Sequence, residues 1–153
     1  MEHVRFGKTG LKVSRLCLGT MSLGSSAWKG WVLDEEAAVP ILRRALDRGI
    51  TFFDMADWYS LGRGEEVVGR NLLRMERRER LVLATKVFYP MSEDPNDRGL
   101  SRQHILSSID RSLVRIGTDA ASSSTQPFQA ELPKPIVPRH SRETFRPVEP
   151  NRT

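Results

Sequence analysis

The sequence predicts an α/β fold of the (β/α) barrel type, and two observations favour it. Short apolar runs alternate with stretches of helical period, as when "RLCLGT" (15–20) precedes an amphipathic segment at 34–49. This alternation implies parallel strands joined by right-handed crossovers, in a doubly wound sheet or a barrel. A doubly wound dinucleotide binder should carry G-x-G-x-x-G after its first strand, but "GTMSLGSS" has only Gly19 and Gly24. The barrel is therefore the favoured architecture.

The first two elements are a hairpin and a strand. "VRFGKTGLKVSRL" predicts two short strands around a Gly-Lys-Thr-Gly turn. Residues 15–20 are nearly all apolar and end at glycine, which predicts a strand buried on both faces, with Cys17 as an inert buried thiol. The segment 21–33 has no period and is predicted to be a loop.

Three strand–helix units are predicted in all. The first helix begins after Asp34, a favourable N-cap residue, and Gly49 ends it. The later elements are a strand at 50–54, a helix at 64–74, a strand at 80–86, a loop at 89–100, and a helix between Ser101 and Gly117. The apolar face of the last helix is predicted to comprise Ile105, Ile109, Ser112, Leu113 and Ile116.

The character of the sequence changes after Asp119. Residues 120–153 hold six of the nine prolines and show no apolar period. The sequence therefore predicts an ordered domain at 1–119 and a disordered Pro/Ser-rich tail at 120–153. A fourth strand would be required at residue 119 to continue the pattern, and none is predicted. We hypothesise a reading-frame shift or mis-splicing near codon 120, which translating the DNA in the other two frames would test.

Composition and charge exclude several function classes. The net charge of +5 arises from scattered basic residues, and no one-faced patch or nucleic-acid-binding module is present. No apolar run is long enough to span a membrane. The three histidines are too far apart for a local metal site, and a single cysteine fits a reducing cytoplasm. We expect a cytoplasmic protein without nucleic-acid or membrane partners and without a metal.

Three side chains are predicted to meet at one edge of the sheet. Asp54 ends the second parallel strand, Lys86 ends the third, and Tyr59 follows Asp54 on a short loop. The carboxyl ends of parallel strands converge on one face, where binding and catalysis occur. A partly buried lysine requires a counter-ion, and Asp54 is the available carboxylate.

This grouping suggests a proton donor. A tyrosine has a pKa of about 10 and donates a proton poorly at neutral pH, but a nearby ammonium favours the phenolate. Such a site can protonate a carbonyl oxygen while a reduced nicotinamide delivers hydride to the carbon. Taken singly, each residue has a structural alternative: Asp54 as a loop cap, Lys86 as a surface side chain and Tyr59 as a packing residue.

Four segments of the sequence together form a specific set of motifs: "FGKTGLKVSRLCLGTM", "RALDRGITFFDMADWYSLGRGEEVVGRNL", "LVLATKVF" and "SRQHILSSIDRSLVRIGTD". In these segments the chain resembles the amino-terminal part of the aldo/keto reductase family, in its aryl-alcohol-dehydrogenase-like branch. The resemblance implies an eight-stranded (β/α) barrel opened by a hairpin, reducing aldehydes and ketones with NADPH. It places Asp54, Tyr59 and Lys86 on three of four catalytic residues, with Tyr59 as proton donor. It also places Gly19, Thr20 and Met21, with Asp54, beside the cofactor.

The sequence departs from the family after "RIGTD". The fourth catalytic residue is a histidine ending strand four, and Pro127 occupies its approximate place. His140 lies in the tail and His104 in the third helix, so neither replaces it. Because strands four to eight are also missing, we expect this chain to lack turnover alone, to be unstable, and to self-associate through an exposed barrel edge. The alternative is a non-catalytic fragment or pseudo-enzyme that acts by binding a partner.

Overall fold

A computed structural model describes residues 1–119 and 121–123 of the chain. Its strands are β1 (His3–Arg5), β2 (Lys12–Ser14), β3 (Cys17–Gly19), β4 (Phe52–Asp54), β5 (Val82–Thr85) and β6 (Ser122–Ser123). Its α-helices are α1 (Glu35–Asp47), α2 (Arg63–Met75) and α3 (Arg102–Ile116), with 3-10 turns at Tyr59–Gly62 and Arg78–Arg80. Among these described elements, no helix has the length and apolarity to cross a bilayer.

The parallel strands are arranged in chain order, β3-β4-β5-β6. Gly19 pairs with Asp54, and Asp54 pairs with Ala84, so the carboxyl ends of three strands are level with one another. Each helix returns the chain to the neighbouring position on the same side of the growing sheet. That order is the order of a barrel and lacks the reversal of a doubly wound sheet. The described residues form an open segment and do not close a barrel.

The prediction that no fourth strand follows was wrong. Ser122 and Ser123 pair in parallel with Ala84 and Thr85 of β5, which gives a fourth strand of two residues. The physical reason is that backbone N–H and C=O groups make these hydrogen bonds, so no particular side chain is needed. The crossover through α3 returns the chain to the edge of β5, where any extended segment can pair. The remainder of the tail predicted at 120–153 lies outside the described residues.

The two faces of the sheet differ in burial. Phe53 and Leu83 point towards the helices and are fully buried, whereas Phe52 and Val82 on the opposite, inner face are only half-buried. Cys17 on β3 is exposed. The prediction of a strand at 15–20 buried on both faces was therefore wrong, because among the described residues helices cover the outer face of the sheet and no second layer covers the inner one.

The third helix packs through a face that is largely polar, and this face differs in part from the predicted apolar one. Its buried residues are His104, Ser108, Ser112 and Ile116, whereas Ile105, Ile109 and Leu113 are only half-buried. Small serine side chains allow α3 to approach α2 closely. A Cβ atom at Gly69 of α2 would lie 2.4 Å from the carbonyl oxygen of Ile116. Close backbone approach therefore determined which face of α3 is buried.

The N-terminal hairpin covers the amino ends of the strands. The strands β1 and β2 pair antiparallel, as predicted. The hydroxyl oxygen of Ser14 accepts hydrogen bonds from the backbone N–H groups of Thr51 and Phe52, at 3.1 and 3.2 Å. The ring of Phe6 contacts that of Phe52 edge-on, with 5.6 Å between centroids. The hairpin thus leaves the carboxyl ends of the strands accessible.

Candidate functional site

Lys86 and Asp54 form an ion pair where β4 and β5 end. The ammonium of Lys86 donates one hydrogen bond to Asp54 Oδ1 and another to the carbonyl oxygen of Met55, each at 2.7 Å. The lysine side chain is 24% exposed, so most of it is removed from water. Two charge-assisted hydrogen bonds fix the position of this cation. The predicted counter-ion of Lys86 is therefore the one that the structure provides.

Tyr59 lies against the same ammonium. The Nζ atom of Lys86 is 4.9 Å from the centroid of the Tyr59 ring. Immediately after the tyrosine, Ser60 and Leu61 both have a φ of 52°, in the left-handed region. Two consecutive non-glycine residues in that region are rare and cost energy. The structure thus brings Asp54, Tyr59 and Lys86 together, and a strained turn holds the tyrosine in place.

Gly19, Thr20 and Met21 surround the adjoining end of β3. The backbone N–H and the hydroxyl of Thr20 both donate to the carbonyl oxygen of Asp54, at 3.0 Å. Nothing lies within 4 Å of the position that a Cβ atom of Gly19 would occupy, and Met21 is exposed. The end of β3 therefore has open space at Gly19, next to Asp54 on the neighbouring strand.

A cavity of about 330 Å³ opens beside the three residues. It is lined by Ala56, Asp57, Trp58, Tyr59, Lys86, Val87, Phe88 and Tyr89. Its volume is at the lower end of the range of roughly 300–1,000 Å³ for small-molecule pockets. Half of these residues are aromatic, and both Tyr59 and Lys86 line the wall, so the cavity can bring a small apolar ligand to the predicted proton donor.

Sequence reasoning missed Asp57, two residues before Tyr59. Its backbone N–H donates to the carbonyl oxygen of Lys86 at 3.1 Å. The side chain is 1% exposed, and Oδ2 has no hydrogen-bond partner among the described residues. Burial, and secondly the negative charge of Glu65, raises the pKa of Asp57 to about 6. Only its location beside Tyr59 in "DWY" marked this residue in the sequence.

A buried ion pair beneath the site was also missed. Glu65 is fully buried and accepts hydrogen bonds from Thr85 Oγ1 at 2.5 Å and from Arg115 Nε at 2.7 Å. These contacts join α2, the end of β5 and α3. A buried carboxylate requires such partners to remain charged. No local sequence pattern reveals the pair, because Glu65 and Arg115 are 50 residues apart.

The single cysteine faces the site without being a nucleophile. Partial burial, and secondly the carboxylate of Asp54, raises the pKa of the Cys17 thiol to about 12. The thiolate is the reactive form of cysteine, so the thiol is unreactive at neutral pH. The prediction of a fully buried thiol was wrong, since the residue as a whole is exposed on β3, the edge strand of the described sheet, and its burial is only partial. The chemical environment of the sulfur accounts for its inertness.

Histidine side chains lie elsewhere in the described part of the chain. His104 is buried on α3, where Nδ1 is 3.4 Å from Asp97 Oδ1 and close to Ser108. His3 belongs to the hairpin strand β1. Within residues 1–119 and 121–123, no three His, Cys, Asp or Glu side chains form a group that could hold a metal ion. His140 and Pro127 lie outside the described residues.

Comparison with known families identifies one match over most of the chain. The model of the aldo/keto reductase family matches residues 15–145. The match extends beyond Asp119, where the quoted motifs end. The chain is also 37% identical to the versiconal hemiacetal acetate reductase of Aspergillus parasiticus, over 91% of this chain and 46% of that protein.

Two further proteins are similar. A probable voltage-gated potassium channel subunit beta of Arabidopsis thaliana is 40% identical, over 78% of this chain and 35% of the relative. The holo form of an aldo-keto reductase from Bacillus halodurans superimposes with a TM-score of 0.67 and 33% identity, over 80% of this chain and 38% of that one. The chain thus spans less than half the length of these relatives.

Proposed function

Because the chain belongs to the aldo/keto reductase family, we propose that it is the amino-terminal part of an NADP(H)-dependent oxidoreductase that reduces an aldehyde or ketone. One observation carries this proposal: the Lys86 ammonium is bonded to Asp54 and lies against the ring of Tyr59. A fixed cation beside a phenol favours proton donation to a carbonyl oxygen, because it stabilises the phenolate that remains. The adjoining cavity gives a small carbonyl compound access to the tyrosine.

The roles follow from the contacts. Tyr59 Oη donates its proton to the carbonyl oxygen, and Lys86 stabilises the phenolate that remains. Asp54 and the carbonyl oxygen of Met55 hold the ammonium in position. Gly19, Thr20 and Met21, with Asp54, would hold the nicotinamide, which supplies hydride to the carbonyl carbon when it is bound.

A second candidate is a non-catalytic protein that acts through a partner. The similarity to a potassium channel subunit beta favours it. The two described histidines also lie in the hairpin and on α3, so neither supplies the fourth catalytic group. We therefore propose that residues 1–153 alone lack turnover. The half-buried inner face of the sheet would favour self-association, and a reducing cytoplasm suits the free Cys17.

Oxidation of NADPH in the presence of benzaldehyde tests the function. We expect no turnover above background from the purified chain. A chimera, in which residues 1–119 replace the aligned segment of the similar Bacillus halodurans reductase, should oxidise NADPH. Turnover by the chain alone would show that no further segment is needed. An inactive but folded chimera that still binds NADPH would show that these residues are not a reductase site.

A further inference from the structure

Aromatic side chains from three loops form a continuous cluster at the mouth of the cavity. We call it the aromatic rim; it consists of Trp28, Trp31, Trp58, Phe88 and Tyr89. The centroids of the Trp58 and Tyr89 rings are 4.7 Å apart, and the two ring planes are tilted by 32° to each other. Trp28 contacts Trp58 edge-on at 4.9 Å, and Trp31 contacts Trp28 at 6.1 Å. The rim therefore extends from the cavity wall across the loop that follows β3.

One cation lies on this rim. The ammonium of Lys29 is 5.1 Å from the centroid of the Trp28 ring and 5.6 Å from that of Trp58. Among the described residues, no carboxylate lies within ion-pair distance of Lys29, whereas Lys86 on the cavity wall is neutralised by Asp54. The positive charge at the mouth of the cavity is thus held by aromatic rings and remains available to an anion.

The loop that carries Lys29 is fixed by hydrogen bonds. The backbone N–H of Gly24 donates to the carbonyl oxygen of Leu33 at 2.9 Å, and that of Leu33 donates to Ser22 at 2.8 Å. The carboxylate of Asp34 accepts from both the N–H and the hydroxyl of Ser26. A loop held in this way presents its side chains in a preformed arrangement, so binding requires little ordering.

From these contacts we propose that Lys29 and the aromatic rim bind a flat aromatic ligand that carries an anionic group, such as a carboxylate. The ring would lie in the cavity against Trp58 and Tyr89, which are too close together to admit another ring between them. The anionic group would pair with the Lys29 ammonium. Resting on the proposed function, this assigns the substrate class as aromatic aldehydes or ketones with an acidic substituent.

The chain offers a reporter that is independent of catalysis. It contains three tryptophans, and all three belong to the aromatic rim. Tryptophan fluorescence therefore reports on this site alone. Phenylacetate, phenylacetamide and cyclohexylacetate are suitable probes because none carries a reducible aldehyde or ketone group. Failure of the proposed reductase activity leaves this measurement unaffected.

The experiment is a fluorescence titration of the full chain with each probe. We expect phenylacetate to bind about 3-fold to 10-fold more tightly than neutral phenylacetamide, as for a partly exposed ion pair. Cyclohexylacetate, which lacks the aromatic ring, should also bind more weakly. Lys29→Gln should abolish the preference for phenylacetate, whereas Lys12→Gln on the hairpin should retain it. Thermal unfolding of both variants verifies that the fold is intact.

Three results would overturn the proposal. These are equal binding of phenylacetate and phenylacetamide, a preference for phenylacetate that survives in Lys29→Gln, and an unchanged fluorescence with every probe. A fourth result would reassign the lysine: if Lys29→Gln weakens NADPH binding while phenylacetate binding is unchanged, the cation serves the cofactor and the assigned ligand class is wrong.

Discussion

Asp57 is the residue at which burial and charge conflict most directly. Its carboxylate is buried, and one oxygen has no hydrogen-bond partner in the described part of the chain. Glu65 on α2 repels its negative charge, while Arg111 and Arg115 on α3 offset this only in part. The neutral acid is the form that such surroundings favour. The backbone N–H of Asp57 also donates to the carbonyl oxygen of Lys86, which links the backbone of this residue to the end of β5.

The stability of the protein should therefore depend on pH through Asp57. The pKa of about 6 in the folded chain is above the ordinary value of 3.8, so the folded state binds the proton more tightly. This stabilisation is fully present below pH 3.8 and is lost as the pH rises through about 6. Replacing Asp57 by Asn removes the buried charge. It should raise the free energy of unfolding at neutral pH by about 1–2 kcal/mol, after discounting for solvent screening, with little effect near pH 4.

Urea unfolding of the parent and Asp57→Asn proteins between pH 4 and 8 measures this difference. Asp110→Asn, at an exposed position on α3, is the matched control and should follow the parent curve. A lower stability of Asp57→Asn across the whole pH range would contradict the conclusion, since it would mean that the native carboxylate is well accommodated.

At the scale of elements, the contact between α2 and α3 determines where Arg115 lies. Gly69 on α2 faces the backbone of Ile116, and the buried serines of α3 lie on the same face of α3 as Ile116. Arg115, the residue before Ile116, donates a hydrogen bond to Glu65. Glu65 also accepts a hydrogen bond from Thr85, which precedes Lys86 in the chain. The close helix approach thus supports the end of β5, from which the proposed catalytic lysine extends.

Replacing Gly69 by Ala should separate these helices. The new methyl group would lie 2.4 Å from a backbone oxygen and 2.7 Å from a Cα atom, neither of which can rotate away. We expect a loss of about 1–3 kcal/mol in the free energy of unfolding, because overpacking outweighs the better helix propensity of alanine. Gly30→Ala is the control, since nothing lies within 4 Å of its Cβ position. Thermal unfolding with equal midpoints for both variants would refute the close approach.

For the whole molecule, local patterns predicted the hairpin, the chain-ordered parallel strands and the convergence of Asp54, Tyr59 and Lys86. The alternation of strands and helices in the sequence indicates parallel strands, and the backbone geometry of parallel strands brings their carboxyl ends to the same edge of the sheet. The burial of Ser108 and the ion pair of Glu65 could not be predicted, because they depend on which helix faces meet in space. The strand at Ser122–Ser123 was missed because its pairing is made by backbone groups and leaves no side-chain signal.

The central claim about the assembled site is that Tyr59 is the proton donor. The chain has two tyrosines, and both line the cavity. The pair Tyr59→Phe and Tyr89→Phe therefore removes either hydroxyl from the same pocket. The most direct measurement is kcat for NADPH-dependent reduction of benzaldehyde by the chimera described above. We predict that Tyr59→Phe lowers kcat by about 10²-fold to 10⁴-fold, the range for general acid catalysis, whereas Tyr89→Phe changes it by less than about 10-fold. An unchanged kcat in Tyr59→Phe, with the fold intact, would contradict the claim.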